Sequence, residues 1–114
     1  MEKALWLIKK TAEISQKIEN DFWHKKTTPM LVKIGPDMTD EEIRLFVQAA
    51  KENGYKGIIA TNTTTDRTGV FDKYKHIQKG GISGPLLFEK ALRTVQLVRQ
   101  FDREEGGTPL VIIG

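Results

Sequence analysis

Three short apolar runs, each closing on a small or polar residue, constrain this chain more than any other feature. They are Met30-Leu31-Val32-Lys33-Ile34, Gly57-Ile58-Ile59-Ala60 leading into Thr61-Asn62-Thr63, and Pro109-Leu110-Val111-Ile112-Ile113-Gly114. Two stretches of helical periodicity separate them, so the expected order is β-α-β-α-β and the fold class α/β. Unbroken apolar runs suit parallel strands buried on both faces. In such folds ligands gather at the carboxyl ends of the strands, where the polar residues of these runs lie.

The flanking signals agree with that order. Thr39 and Glu42 form a capping-box pattern, with Asp40 and Glu41 in the first helical turn. Ile43, Phe46, Val47 and Ala50 then recur at helical spacing, and Asn53-Gly54 supplies the stop. Pro85 suits the first position of a second helix, whose apolar face reads Leu87, Ala91, Val95 and Val98 and which Gly106-Gly107-Thr108 ends. Ahead of the first run, residues 2–20 read as a helix. Leu5, Ile8, Ala12 and Ser15 form one stripe, with Trp6, Ile14 and Ile18 beside it, a face wide enough to require packing. Trp23 and His24 fall in a polar connection before Pro29. The organisation expected is one unit, with residues 1–28 as leading helix and connection and residues 29–114 as β-α-β-α-β.

Composition excludes several function classes. The chain has 114 residues, a formal charge of +3 and no cysteine. That removes disulfides, thiolate nucleophiles and cysteine metal sites. Basic residues are not interleaved with aromatics as a nucleic-acid surface requires, so no nucleic-acid partner is expected. The exception in miniature is residues 73–79, three lysines and a histidine around Tyr74, whose default is a solvated loop and whose alternative is contact with an anion or an acidic partner. His24 and His76 lack partners at ligand spacing, so no metal is expected. No apolar stretch approaches the length of a membrane span.

Three places could carry chemistry. Lys33 interrupts a strand of Leu, Val and Ile; an ammonium there must be paired, reach a ligand pocket, or snorkel out of the sheet end. Residues 61–65 place hydroxyl and amide groups directly after a buried strand, able to match the edge of a heterocycle or to cap their own backbone. Gly80-Gly81-Ile82-Ser83-Gly84-Pro85 brings glycine amides to a helix start, as phosphate sites do, without matching the P-loop or dinucleotide fingerprint. Residues 63–84 form a long aperiodic segment, the kind that often serves as a lid or binding loop. Ser15 and Ser83 have no nearby histidine, and Asp66-Arg67 reads as a local ion pair or surface element.

In order, Val32-Lys33-Ile34-Gly35-Pro36-Asp37, Gly57-Ile58-Ile59-Ala60-Thr61-Asn62-Thr63-Thr64, Asp66-Arg67 and Gly80-Gly81-Ile82-Ser83-Gly84 resemble successive signatures of dihydroorotate dehydrogenase, quinone-using class. The resemblance runs from residue 29 to residue 114; residues 1–28 match only as a helix ahead of the first strand. It implies a TIM (β/α)8 barrel, of which this chain would supply strands five to seven. It also implies FMN as cofactor, dihydroorotate and orotate as substrate and product in pyrimidine synthesis, and quinone as electron acceptor. On that resemblance Lys33, Thr61 and Gly84 would contact FMN, and Asn62 and Thr63 would hold the substrate ring. Where the family commonly has arginine after its G-G-L-S-G stretch, Gly84 here runs straight into Pro85.

The family's serine base, its other substrate asparagines and lysine and its first FMN contacts precede the Lys33 strand. Its main phosphate glycines follow the last strand, and its membrane-docking helices lie at the far N-terminus. This chain is therefore expected to be a partial barrel with no catalytic residue of its own, inactive alone. The full enzyme would lie peripherally on the cytoplasmic side of the cell membrane. The alternatives are a non-catalytic half-barrel that self-associates or docks on a partner, and another flavin- or phosphate-binding barrel.

Overall fold

The computed structural model describes residues 1–22 and 28–114; Trp23 and His24 lie outside the described residues. Helix α1 spans Glu2–Phe22, strand β1 Leu31–Ile34, helix α2 Asp40–Glu52, strand β2 Gly57–Ala60, helix α3 Pro85–Glu105 and strand β3 Val111–Ile113. A single 3-10 turn, Asp72–Tyr74, sits in the long segment between β2 and α3.

The three strands form one parallel sheet in the order β1-β2-β3. The start of α2 follows from side-chain chemistry. Thr39 accepts from the Glu42 amide while the Glu42 carboxylate accepts from the Thr39 amide, the reciprocal box that satisfies two orphan donors. Pro85 begins α3, where its missing N–H costs nothing, and Gly106 ends it at φ +69°.

Register decides which side chains go inside. Val32 pairs with Ile58 and Ile34 with Ala60; Leu31 pairs with Gly57 and Lys33 with Ile59. Gly57 pairs in turn with Val111, and Ile59 with Ile113. Alternate residues of a strand point to opposite faces, so the sheet has two distinct sides. Ile34, Ile58 and Ala60 join Ile43, Val47 and Ala50 of α2 and Val98 and Phe101 of α3 in one buried cluster, with Val32 and Ile112 packed against it. The other side carries Leu31, Lys33, Ile59, Val111 and Ile113, and α2 and α3 pack on the opposite face. Val111 and Ile113 are accordingly exposed. The apolar runs are therefore buried on one face, not on both.

Helix α1 reaches the cluster through Ile8, with Ala12 packed beside it. The Tyr55 hydroxyl donates to the Ile8 carbonyl at 3.1 Å, which fixes α1 to the turn before β2. Trp6, Ile14 and Ile18 of the broad apolar face remain exposed. The start of β3 is pinned by a buried carboxylate. Asp102 of α3 accepts from the Leu110 amide at 3.2 Å, from Lys51 Nζ at 2.5 Å and from Arg99 at 2.8 Å. One side chain thus joins α2, α3 and β3, and its charge is matched by cations on two sides.

Candidate active site at the strand ends

Lys33, Thr61, Asn62, Thr63 and Gly84 lie at the carboxyl end of the sheet or in the loop that rises from it. Lys33 stands next to last in β1, on the uncovered face, in register with Ile59. It is exposed and has no ion-pair partner among the described residues. Pleat alternation puts its neighbour Ile34 into the core and Lys33 opposite.

Beyond β2 the chain continues beside β1. The Asn62 backbone N–H donates to the Ile34 carbonyl at 2.8 Å, so Asn62, two residues past the end of β2, is held beside the end of β1 next to Lys33. Its own side-chain oxygen accepts from the Thr63 amide at 3.0 Å. The Ala60–Thr61 peptide bond is cis. The Thr61 hydroxyl is buried and has no hydrogen-bond partner among the described residues. A buried hydroxyl without a partner is costly, and groups of this kind mark where a ligand supplies the missing bond. This orphan hydroxyl, the unpaired Lys33 ammonium and the exposed Asn62 are a donor-rich set at one end of the sheet.

The loop after Asn62 folds back on itself. Thr64 and Ile82 exchange two backbone hydrogen bonds, Thr64 N to Ile82 O at 3.1 Å and Ile82 N to Thr64 O at 2.8 Å. Thr63 lies so close to Gly81 that a methyl group there would overlap the Thr63 hydroxyl. Only glycine permits that approach. Gly84 caps α3 at φ +82°, with open space on its Cβ side.

Beneath these residues runs an electrostatic anchor. Asp37, just past β1, accepts from the Thr64 hydroxyl at 2.6 Å and from the Thr65 amide at 3.0 Å. Lys90 of α3 pairs with Asp37 at 3.0 Å and with Asp66 at 2.9 Å. Asp66 also accepts from the amide and the hydroxyl of Thr68. The Thr64 hydroxyl bond, the Thr65 amide and Lys90 hold the Asp37 carboxyl below its ordinary range. Thr68 and then Lys90 do the same for Asp66, and the two carboxylates raise Lys90. Of the two readings of Asp66-Arg67, the local ion pair does not form. Asp66 turns to Lys90, and Arg67 donates to the Gly80 carbonyl at 2.8 Å.

Sequence reasoning missed the anchor. Asp37 stands in the sequence only as the last residue of the Val32-to-Asp37 stretch, and Lys90 is not singled out there. They are far apart in the chain, and no local pattern links them. Elsewhere, no group of three or more His, Asp or Glu that could hold a metal occurs among the described residues.

Residues 3–114 match the family described as dihydroorotate dehydrogenase. The chain belongs to the dihydroorotate dehydrogenase family. It is 39% identical over 109 residues to a dihydroorotate dehydrogenase (quinone) of Vibrio vulnificus, a match covering 95% of this chain and 30% of that relative. It is 41% identical over 92 residues to the protein of that description from Pseudomonas fluorescens, covering 80% of this chain and 26% of the relative. The chain thus spans about 30% of the length of the curated relatives it matches. Among solved structures it resembles DHODH from Eimeria tenella in complex with ferulenol, at TM-score 0.75 and 27% identity, covering 96% of this chain and 31% of that one. The family's TIM barrel is the frame into which the three parallel strands fit.

Proposed function

We propose that this chain forms one wall of the FMN and dihydroorotate pocket of a quinone-dependent dihydroorotate dehydrogenase. The observation that carries this reading is the adjacency of Lys33 and Asn62. A lone cation on β1, on an otherwise apolar sheet face, and a residue just past β2 whose backbone N–H donates to the Ile34 carbonyl stand side by side, at the end of the sheet where α/β proteins bind ligands.

Bound FMN would supply hydride acceptance. The residues supply placement and charge. Lys33 and the orphan Thr61 hydroxyl would meet the pyrimidine edge of the flavin, where a fixed ammonium favours negative charge on the ring. Asn62 and Thr63 would hydrogen-bond the substrate ring and hold it in line for reaction. The Gly84 amide, at the start of α3, would face the phosphate end of the cofactor. No residue of this chain is assigned as the proton-abstracting base; that role would fall to a serine elsewhere in the whole enzyme. Electrons would pass to quinone, with the whole enzyme peripheral to the cytoplasmic side of the cell membrane. Residues 29–114 would be strands five to seven of the barrel with their intervening helices, and residues 1–28 the helix leading in. Alone, the chain would neither hold FMN tightly nor turn over substrate.

The test is a transplant. Residues 3–114 replace the matching segment of the Vibrio vulnificus relative, and the chimera is assayed for FMN content and dihydroorotate oxidation. A yellow, active chimera is expected. Lys33→Ala should cut the reduction of bound flavin, and Asn62→Ala should weaken orotate binding by about 1–3 kcal/mol. A chimera whose flavin reduction and orotate affinity ignore both changes would refute the assignment.

A further inference from the structure

Past Asn62 the chain has left the sheet, yet Thr64 is held from every side. Its backbone exchanges two hydrogen bonds with Ile82. Its hydroxyl donates to Asp37 Oδ1 at 2.6 Å and accepts from the Asp66 amide at 3.0 Å. The Asp37 carboxylate is in turn held at both oxygens. Oδ2 accepts from the Thr65 amide at 3.0 Å, and Oδ1 also takes the Lys90 ammonium at 3.0 Å. The base of Lys90 is fixed as well. Thr94, one turn on and buried, donates its hydroxyl to the Lys90 carbonyl at 2.8 Å. Fixed contacts therefore run from the core through Lys90 and Asp37 to Thr64.

The strand side has a clamp of its own, the Asn62 N–H on the Ile34 carbonyl at 2.8 Å. Between the two clamps lies one residue, Thr63. Strand β2 ends at Ala60, so the bonds at Thr64 add nothing to the sheet ladder. What they fix is the backbone that presents Asn62 and Thr63. Holding contact groups in place before a ligand arrives removes their ordering from the cost of binding.

We propose that Lys90 is a positioning residue for the pyrimidine substrate: through Asp37 and Thr64 it holds Thr63 at its contact with the ring. Lys90 itself would touch neither substrate nor cofactor. This inference rests on the pocket reading above and adds to it a residue of α3.

The experiment uses the chimera in which residues 3–114 replace the matching segment of the Vibrio vulnificus relative. Orotate binding is measured by equilibrium dialysis and FMN content by absorbance. Lys90→Met should weaken orotate roughly five- to tenfold, the worth of one displaced hydrogen bond, with FMN content unchanged. Lys90→Arg should restore most of the affinity, since a guanidinium can serve both carboxylates. Thr63→Ala should weaken orotate by a similar factor. Lys90→Met added to Thr63→Ala should then cost less than about a further twofold, because residues that act through one contact do not add. A general softening of the fold would add in full.

The proposal is overturned, with the pocket reading intact, if Thr63→Ala weakens orotate and Lys90→Met does not, or if the two losses add. If Asn62→Ala and Thr63→Ala both leave orotate affinity unchanged, the pocket reading fails and this inference falls with it. Should the Lys90→Met chimera not retain FMN, Asp37→Asn, which cuts the same route at its middle, takes its place in the cycle and is judged by the same outcomes.

Discussion

The Lys90 ammonium lies 3.0 Å from the Asp37 carboxylate, although the two stand on different elements, one after the first strand and one on the last helix. Its second contact, to Asp66, draws the loop above the site into the same cluster. The cation thereby ties the end of β1, the polar stretch after β2 and the face of α3 together. Asn62 and Thr63 sit at the base of the loop that this cluster holds.

Thr64 is the least exposed member of the anchor, at 1%. Its hydroxyl donates to Asp37 and accepts from the Asp66 amide. Thr64→Val keeps the shape and removes both bonds. The expected loss is about 1–3 kcal/mol in urea unfolding, with faster amide exchange at Thr65 and Ile82.

The carboxylates of the anchor give a pH dependence of known sign. Asp37 and Asp66 are depressed in the folded chain, so their contribution is complete above the ordinary aspartate range and is lost as pH falls through the lowered values. Lys90 is raised, so its contribution is complete below the ordinary lysine value and is lost only as pH rises beyond it. Thermal stability from the anchor should be flat between roughly pH 4 and pH 10. Below that, melting temperature should fall more steeply in the native chain than in Asp37→Asn.

Asp102 is 2% exposed and joins Lys51, Arg99 and the Leu110 amide. Asp102→Ala strands Lys51, which is itself mostly buried, and releases the start of β3. A loss of about 3–5 kcal/mol is expected in equilibrium unfolding. Backbone protection should fall first in residues 110–113.

Gly81→Ala should push Thr63 away from its present place, because the added methyl and the threonine side chain would occupy the same space. Overpacking of this kind costs about 1–3 kcal/mol. Thr63→Gly in the same chain should restore stability while leaving the substrate contact absent. In the chimera, orotate affinity would separate the two effects.

Much of this could be read without coordinates. The capping box at Thr39, the stop at Gly54 and the start at Pro85 are local signals, and each element begins or ends where its own residues direct. Lys33 was conspicuous because one charge interrupted an apolar run. The anchor was invisible because it joins residues 53 positions apart through side chains with no shared periodicity. The one-sided burial of the sheet was also hidden, since a run of Ile and Val reads alike whether one face or both are covered.

The pairing of Lys33 with Ile59, and of Ile59 with Ile113, has a consequence for assembly. Were β1 to rotate by one residue, the ammonium would be driven among Ile43, Val47 and Ile58, where nothing could neutralise it. The residue proposed to greet the cofactor therefore also proofreads the sheet, rejecting the misaligned chain before any cofactor arrives.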